Sequence, residues 1–438
     1  MASALLESLL ERDGAENAGH GPAWLDSARR SAATALARDG LPGPRSEAWK
    51  YTSLRALEQR RYENGDVEAS TRTVDPARFH LAGIEGPRLV FVNGKFRGDL
   101  SSNAQIEGLT VSTLAAATAG DLESSRDFLE SDYGDAANAF ARLNTALAAD
   151  GPIVRVRAGT HVAQPLHLVF VGASAEREIA WNVRALIELG DGASLQLIEH
   201  HVDSGGAGIA QLGNIVSQYA IGRNARLDLV QIQDAAESAS LIRRSEFRLA
   251  DEATLSTHTL ESGSQMMRHD FVVDLGGRGA RIASRGVFAL RGRQHADTHL
   301  DVRHNARDTV SDIVWRGVAD QRSRGIFHGA ITVAVGADGA DAQLSNKNLL
   351  LSANAEIDTQ PVLEIHADEV KAAHGATVGQ LDENALFYLR SRGLAPDAAR
   401  ALMISAFCSA MLSDLPIDSL RTQLEALLAA RLPQAAED

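Results

Sequence analysis

The chain has 438 residues, of which 45% are hydrophobic and 23% charged, enough for more than one domain with a buried core. Its formal net charge of −14 excludes the strongly basic surface with which proteins bind nucleic acid or anionic membranes. The first residues lack the basic and apolar parts of a secretory signal, and no 18-residue apolar run follows. We therefore expect a soluble, cytoplasmic protein.

Residues 1–75 are predicted to form an N-terminal helical region. Leucines recur there at helical spacing, namely Leu5, Leu6, Leu9 and Leu10. Prolines and glycines then end the helical pattern before an aromatic segment, residues 45–52 (RSEAWKYT). We interpret this segment as a loop that Trp49 and Tyr51 pin to the core, because aromatic side chains bury a large area.

Residues 76–152 are predicted to be a mixed strand and helix lead-in. A strand over residues 88–92 ends at Asn93 and Gly94, a strong signal for a hairpin turn. An alanine-rich helical stretch follows, and Gly151 lies where we expect the C-cap of that helix.

Residues 153–386 show a loose repeat of short β-type runs. In each of the clearest copies a turn residue is followed by a small one, at Ala193, Ala225, Ala253 and Ala280, so the steps are 32, 28 and 27 residues. A fuzzy period of this length with two strands per repeat is typical of a solenoid.

The alternation within these runs favours a right-handed parallel β-helix over a β-sandwich. Polar and apolar residues alternate, so one face of each strand can line an interior that stacked repeats bury together. A small residue at each corner lets the backbone turn tightly. A sandwich would show similar alternation but gives no reason for a repeated corner phrase.

Residues 387–438 are predicted to form a C-terminal helical domain. Pro396 and Asp397 suit the start of a helix. The apolar stripe expected on this helix consists of Ala399, Leu402, Met403, Ala406, Phe407 and Ala410. A second stripe consists of Leu420, Leu424, Leu427 and Leu428. The two helices can cap the solenoid or form a docking surface for another protein.

A search for catalytic motifs finds no phosphate-binding loop, no serine nucleophile elbow and no zinc-protease helix. The chain has 14 histidines, but their spacing does not require a metal site. His295 and His299 would share one face of a strand, whereas His304 would point to the other face. His200 and His201 are adjacent and would also face opposite sides. We interpret these as solvated or hydrogen-bonded histidines.

His374 and Cys408 are the remaining residues with chemical potential. His374 lies near the end of the β region, and Gly375 and Ala376 keep the space beside it small, so its imidazole could face a partner or ligand. Its spacing alone does not distinguish that role from an ordinary turn histidine. The chain's cysteine, Cys408, cannot close an internal disulfide or build a metal centre alone, and we interpret it as a small core or interface residue.

Several phrases of this chain, in the same order, resemble the SufB/SufD family of iron–sulfur cluster assembly proteins, and its SufD branch more closely than its SufB branch. The most specific block is EVKAAHGAT, within residues 361–379. The others are residues 45–52, 90–94, 144–151 and 386–394. The resemblance spans nearly the whole chain. It implies a helical N-terminal domain, a central right-handed parallel β-helix and a C-terminal helical domain.

The resemblance also implies a role. Members of the SufD branch are non-catalytic scaffold subunits of a complex with SufB and two copies of the SufC ATPase, which assembles iron–sulfur clusters. Pairing with SufB uses the end of the β-helix, and the C-terminal helices dock SufC, so Leu402, Met403 and Phe407 become the candidate docking residues. Whether the isolated chain forms a homodimer stays open.

By the same resemblance, His374 corresponds to a histidine at the SufB–SufD interface that takes part in cluster assembly. This makes His374 a candidate metal ligand shared with SufB. Some relatives carry a cysteine two positions earlier, where this chain has Ala372, so SufB must supply any sulfur ligand. We expect the chain alone to bind no cofactor, and iron or a transient iron–sulfur cluster to be present only in the complex.

Two alternatives of a different class stay open. A carbohydrate-active β-helix enzyme would usually be secreted and would line its groove with paired carboxylates or aromatics, but only 5% of these residues are aromatic. A stand-alone metalloenzyme would use the cluster around His295 and His299. The metal content of the purified protein distinguishes such an enzyme from a scaffold.

Overall fold

A computed structural model describes residues 3–16, 22–64, 73–102, 105–117, 119–173, 176–204, 209 and 211–432. Residues 65–72 of the predicted N-terminal region and residues 433–438 of the predicted C-terminal domain lie outside these described residues.

The strands are β1 (Glu63–Asn64), β2 (Arg88–Val92), β3 (Lys95–Phe96), β4 (Leu109–Thr113), β5 (Pro152–Val156), β6 (Leu166–Gly172), β7 (Ile179–Leu189), β8 (Ser194–Asp203), β9 (Gln211–Ile221), β10 (Arg226–Asp234), β11 (Ser240–Leu249), β12 (Thr254–Glu261), β13 (Met266–Leu275), β14 (Arg281–Leu290), β15 (His295–His304), β16 (Val310–Ala319), β17 (Arg324–Val333), β18 (Asp341–Leu350), β19 (Glu356–Ile365) and β20 (Lys371–Gly379). The helices are α1 (Ala4–Glu16), α2 (Ala23–Asp39), α3 (Arg55–Glu58), α4 (Ala119–Glu123), α5 (Arg126–Leu129), α6 (Ala139–Leu147), α7 (Glu383–Ser391), α8 (Pro396–Ser409) and α9 (Asp418–Arg431).

The strands form two long sheets that face each other. From β5 onward the chain alternates between them: odd-numbered strands up to β19 form sheet A, and even-numbered strands up to β20 form sheet B. Each of these strands pairs in parallel with the strands two before and two after it where those exist, as β10 does with β8 and β12. This is a solenoid with two strands per turn. The predicted parallel β-helix is confirmed, and the β-sandwich is wrong.

The repeated corner phrase has a simple geometric cause. At each of these corners one residue has a positive φ, at Gly192 (66°), Asn224 (55°), Glu252 (55°) and Gly279 (70°). The next residue is the predicted small one, and all four alanines are buried. The left-handed residue reverses the chain, and the alanine then points into the core where a longer side chain would collide with the rung above or below.

The N-terminal helices cover the outer face of sheet A. Leucines of α1, α2 and α3 and the apolar face of α6 pack there with Trp49 on outward residues of sheet A. Trp49 Nε1 donates to Ala137 O (2.9 Å), and the Arg268 guanidinium lies 4.6 Å from the centre of the Trp49 ring. Trp49 therefore pins the aromatic segment to the sheet, as its sequence indicated.

The C-terminal helices lie along the outer face of sheet B. Buried Ile404 and Cys408 of α8 and the buried leucines of α9 pack on outward residues of the sheet. Asp414, between the helices, accepts a hydrogen bond from His258 of β12 (2.9 Å), and Arg431 pairs with Asp234. The capping alternative is thus wrong, because the helices pack on the flank of the solenoid. No helix in the described ranges is long and apolar enough to cross a membrane.

Two local predictions also need correction. Helix α6 ends at Leu147 with Ala148 as its C-cap, so Gly151 is not the cap. Gly151 has φ 155°, and a Cβ there would collide with the carbonyl of Arg184, so close approach of two backbones requires the glycine. The stripe predicted on α8 is not its buried face either, since Ile404 and Cys408 turn inward and Leu402 turns outward.

The solenoid buries several neutral histidines, and this predicts a loss of stability in acid. Burial lowers the pKa of both His200 and His304 to about 4, below the value of about 6.5 in an unfolded chain. Between about pH 6.5 and pH 4 these histidines take up protons in the unfolded chain but not in the folded chain. The free energy of unfolding therefore falls as the pH falls through this range.

Urea unfolding at pH 7 and pH 5 measures this. Each such histidine should remove roughly 1 kcal/mol of stability per pH unit within the window, and a His304→Gln chain should show a shallower dependence. An unfolding free energy that is equal at the two pH values would contradict the prediction.

Candidate interface and cluster site at the open end of the solenoid

The two ends of the solenoid differ in the strands that terminate the sheets. At its first turn the sheets end in short strands of reversed direction: β3 (two residues) pairs antiparallel with β2, and β4 (five residues) pairs antiparallel with β5. At the last turn, β19 and β20 are the terminal strands of their sheets, and no described strand pairs with their outer edges. Such edges present unpaired N–H and C=O groups, which are a template for another strand. We call this end, formed by β19, β20 and the adjoining α7, the open end.

His374 lies on the terminal strand β20, and its direction follows from the strand register. It pairs with Leu344 of β18, whose side chain belongs to the solenoid core. Paired residues of parallel strands point to the same face, so the His374 side chain lies on the interior side at the open end. It is nevertheless exposed, because no rung covers it. Ala372 and Ala376 share its face and leave room on both sides.

Only one side of the β20 backbone forms hydrogen bonds with a neighbouring strand among the described residues. Lys371 N donates to Ala340 O (2.9 Å), toward the preceding rung. Because successive amides of a strand alternate in direction, the amides of Ala372, His374 and Ala376 point away from β18 along the free edge. The His374 side chain and the free amides are therefore available to the same approaching molecule.

A buried polar group supports β20 from inside. Asn348 Nδ2 donates to Thr377 O of β20 (3.1 Å) and to Asn346 Oδ1 (2.5 Å). Asn346 Oδ1 also accepts from Thr359 Oγ1 of β19 (2.8 Å), and Asn346 Nδ2 donates to Trp315 O (3.3 Å). These bonds join the last strands of both sheets. Buried amides are stabilising when they are paired in this way.

Four large apolar side chains of the terminal strands and of α7 are exposed. Phe387 and Tyr388 of α7 are 72% and 57% exposed, and Ile365 and Val378 of the terminal strands are 41% and 40% exposed. Exposed apolar side chains of this size are candidates for an interaction surface. Sequence reasoning missed these residues, although Phe387 and Tyr388 lie in the segment 386–394 that resembles the family.

The candidate docking residues of α8 have different environments. Leu402 is half exposed and Met403 is partly exposed, whereas Phe407 packs partly against the outer face of sheet B with the Arg316 guanidinium 4.5 Å from its ring centre. Cys408 is buried, and burial raises the pKa of its thiol to about 12. A thiol in that environment is an inert core residue rather than a metal ligand.

The histidines singled out in the sequence do not converge. His304 points inward and bonds to Thr309 and Ser311, whereas His295 and His299 lie on the outer face of sheet A, as their spacing predicted. His299 stacks on His328 of the next rung (4.7 Å between ring centres). Within the described part of the chain, no three His, Cys, Asp or Glu side chains are arranged to hold a metal ion.

The neighbouring pair His200 and His201 is also divided between the two faces of its strand. His200 stacks on the outward His167, and His201 stacks on the core residue Phe170. Inside the solenoid, Glu199 accepts hydrogen bonds from Tyr219 (2.6 Å) and Gln231 (2.9 Å). No local sequence pattern predicts this buried network, because its members come from different rungs.

Comparison with known proteins decides the family. Residues 170–407 match the SufBD core domain of the SUF system for FeS cluster assembly, and residues 6–168 match the SufBD N-terminal region. The chain belongs to the SufB/SufD family of iron–sulfur cluster assembly proteins.

The relatives agree with this assignment over most of the chain. The iron–sulfur cluster assembly protein SufD of Escherichia coli is 30% identical over 403 residues, covering 92% of both chains. A SufBD family protein of Synechocystis is 29% identical and covers 93% of this chain and 91% of its own. SufD of Bacillus subtilis is 26% identical over 65% of each chain. The chain is thus a SufD homologue, as the sequence phrases indicated.

Replacing Asn348 tests the internal support of β20. An Asn348→Leu chain keeps a similar volume but cannot donate to Thr377 O. Because one buried hydrogen bond contributes about 1 kcal/mol, we expect exchange to become roughly fivefold faster for the amides that point toward β18, those of Lys371, Ala373, Gly375 and Thr377. Ser345→Ala, on the outer face of β18, is the control and should leave exchange unchanged. Equal rates in Asn348→Leu and the unmodified chain would contradict this role.

Proposed function

We propose that this chain is a non-catalytic scaffold of a SufBCD-type complex that pairs with a SufB-type subunit through its open end. The observation that carries the proposal is the contrast between the two ends: one ends in the short antiparallel strands β3 and β4, whereas the other ends in the long parallel strands β19 (ten residues) and β20 (nine residues), whose outer edges pair with no described strand. Exposed Phe387 and Tyr388 of α7, the helix that follows β20 in the chain, would add apolar area to the contact. The same surface would let the isolated chain pair with itself at high concentration.

His374 would supply an imidazole ligand to iron or to a nascent cluster, which are cargo of the complex. A neutral imidazole binds iron, and clusters with mixed histidine and thiolate ligands are chemically familiar. Ala372 has no ligand atom, and Cys408 is buried away from the open end, so the partner must provide the sulfur ligands. The chain alone would then hold no cluster.

Helix α8 would dock the SufC ATPase. Its buried face is already satisfied by sheet B, whereas Leu402, Met403 and Ala406 keep apolar surface on the side away from it. The contacts of Asp414 and Arg431 with sheet B tie the two C-terminal helices to the solenoid. A displacement of the ATPase during nucleotide hydrolysis would therefore be transmitted to the solenoid and to its junction with the partner.

Two charge substitutions separate the proposed surfaces. Phe387→Asp should weaken pairing with the SufB-type subunit at least tenfold and leave SufC binding unchanged, because a carboxylate would be buried in the apolar contact. Leu402→Asp should weaken SufC binding at least tenfold and leave pairing with the SufB-type subunit unchanged. Titration of each variant with each purified partner measures both effects, and the variants serve as controls for one another. Unchanged pairing in Phe387→Asp would exclude the open end.

Replacing His374 tests its role toward the cargo. His374→Ala should leave folding unchanged and the affinity for SufC within about twofold, since the side chain is exposed in the isolated chain, lies away from α8 and makes no hydrogen bond among the described residues. Iron and sulfide content of the reconstituted complex should fall at least tenfold. His366→Ala, which removes another exposed histidine near the open end, is the matched control. Full cluster content in His374→Ala would remove this residue from the mechanism.

A further inference from the structure

Glycines inside the solenoid strands follow a common rule. In three cases the residue paired directly with the glycine on the neighbouring strand is a large aromatic side chain. These pairs are Trp181 with Gly213, Trp315 with Gly286 and Phe288 with Gly317. At each of these glycines a Cβ would overlap the aromatic ring. Glycine is therefore present because a bulky neighbour lies over it.

Gly375 and Gly379, both on β20, do not follow this rule. Gly379 is the last residue of the strand, whereas Gly375 lies in its middle next to His374 and has no positive φ, so its backbone does not require glycine. A Cβ at Gly375 would meet nothing within 4 Å. Its neighbour on β18 is the small Ser345, and its other neighbour would lie beyond the free edge of β20. A glycine in a strand is unfavourable unless something approaches it closely.

Resting on the proposed pairing, we propose that the strand which the partner adds to β20 carries a large apolar side chain at the position paired with Gly375, and that this side chain lies over Gly375. Neighbouring strands are about 4.8 Å apart, the spacing at which Trp315 covers Gly286. The contact lies on the outer face of sheet B. The interface thus extends around the edge of β20, from His374 on the inside to Gly375 on the outside.

The free amides of β20 support this placement independently. The amides of Ala372, His374 and Ala376 point along the open edge, so an added strand would continue sheet B and fix its own register on them. In that register one partner residue faces Gly375 directly. Gly375 is then a specificity-determining residue, because any side chain there would occupy the volume that the partner needs.

Gly375→Val tests the proposal. In the isolated chain the added methyl groups meet open space and suit a strand, so the melting temperature should be unchanged or higher. The Kd for the SufB-type subunit should rise at least tenfold, because overpacking at an interface cannot relax into solvent. Gly375→Ala should also raise this Kd, but by a smaller factor.

Two controls use the same substitution elsewhere. Gly43→Val, at an exposed glycine with nothing within 4 Å, should change neither melting temperature nor Kd. Gly317→Val, at a glycine covered by Phe288, should lower the melting temperature of the isolated chain.

The outcomes separate this inference from the proposed function. Unmodified affinity in Gly375→Val, with pairing lost in Phe387→Asp, overturns the inference and leaves the pairing surface intact. Unmodified affinity in both variants removes the open end from pairing altogether, and both proposals fail. A lower melting temperature for isolated Gly375→Val also overturns the inference, since the chain itself would then fill that space.

Discussion

A parallel strand satisfies its backbone only when another strand lies on each side, and this requirement organises the whole molecule. Each turn of the solenoid pairs with the turn before and after it, so the stack is stable inside and incomplete at its ends. Short antiparallel strands, β3 and β4, end the sheets at the first turn. The last turn keeps two long strand edges, and the features that we connect with pairing and with the cargo belong to this end.

This arrangement explains why so few residues can carry the function of the chain. A solenoid core is filled by its own side chains, and its flanks are covered by helices at both termini. On the last turn, by contrast, the imidazole of His374 is exposed on the interior side of its strand. In the proposed function a partner completes the sheets, and the same partner would complete a ligand set.

The sequence was informative wherever a local cause produced a local pattern. The corner turns need a left-handed residue followed by a small one, so Ala193, Ala225, Ala253 and Ala280 revealed the solenoid. The opposite orientation of His299 and His304 followed from strand alternation. These predictions required no knowledge of which elements meet in space.

Where the outcome depended on contacts between distant elements, the sequence could not predict it. The position of Gly151 suggested a helix cap, but a glycine is required there because the backbone of Arg184, on another strand, leaves no room for a Cβ. The apolar stripe of α8 did not say which of its sides would meet sheet B. The importance of Gly375 emerges only from register, because its empty neighbouring position can be recognised once the glycines within the preceding strands, such as Gly213, Gly286 and Gly317, are seen to be covered.

The central claim is that the free edge of β20 is where the partner adds its strand. Amide hydrogen exchange of Ala372, His374 and Ala376, measured with and without the SufB-type subunit, tests it most directly. We expect these amides to exchange rapidly in the dilute isolated chain and to become strongly protected in the complex, because each acquires a backbone acceptor. Equally rapid exchange in a fully formed complex would contradict the account.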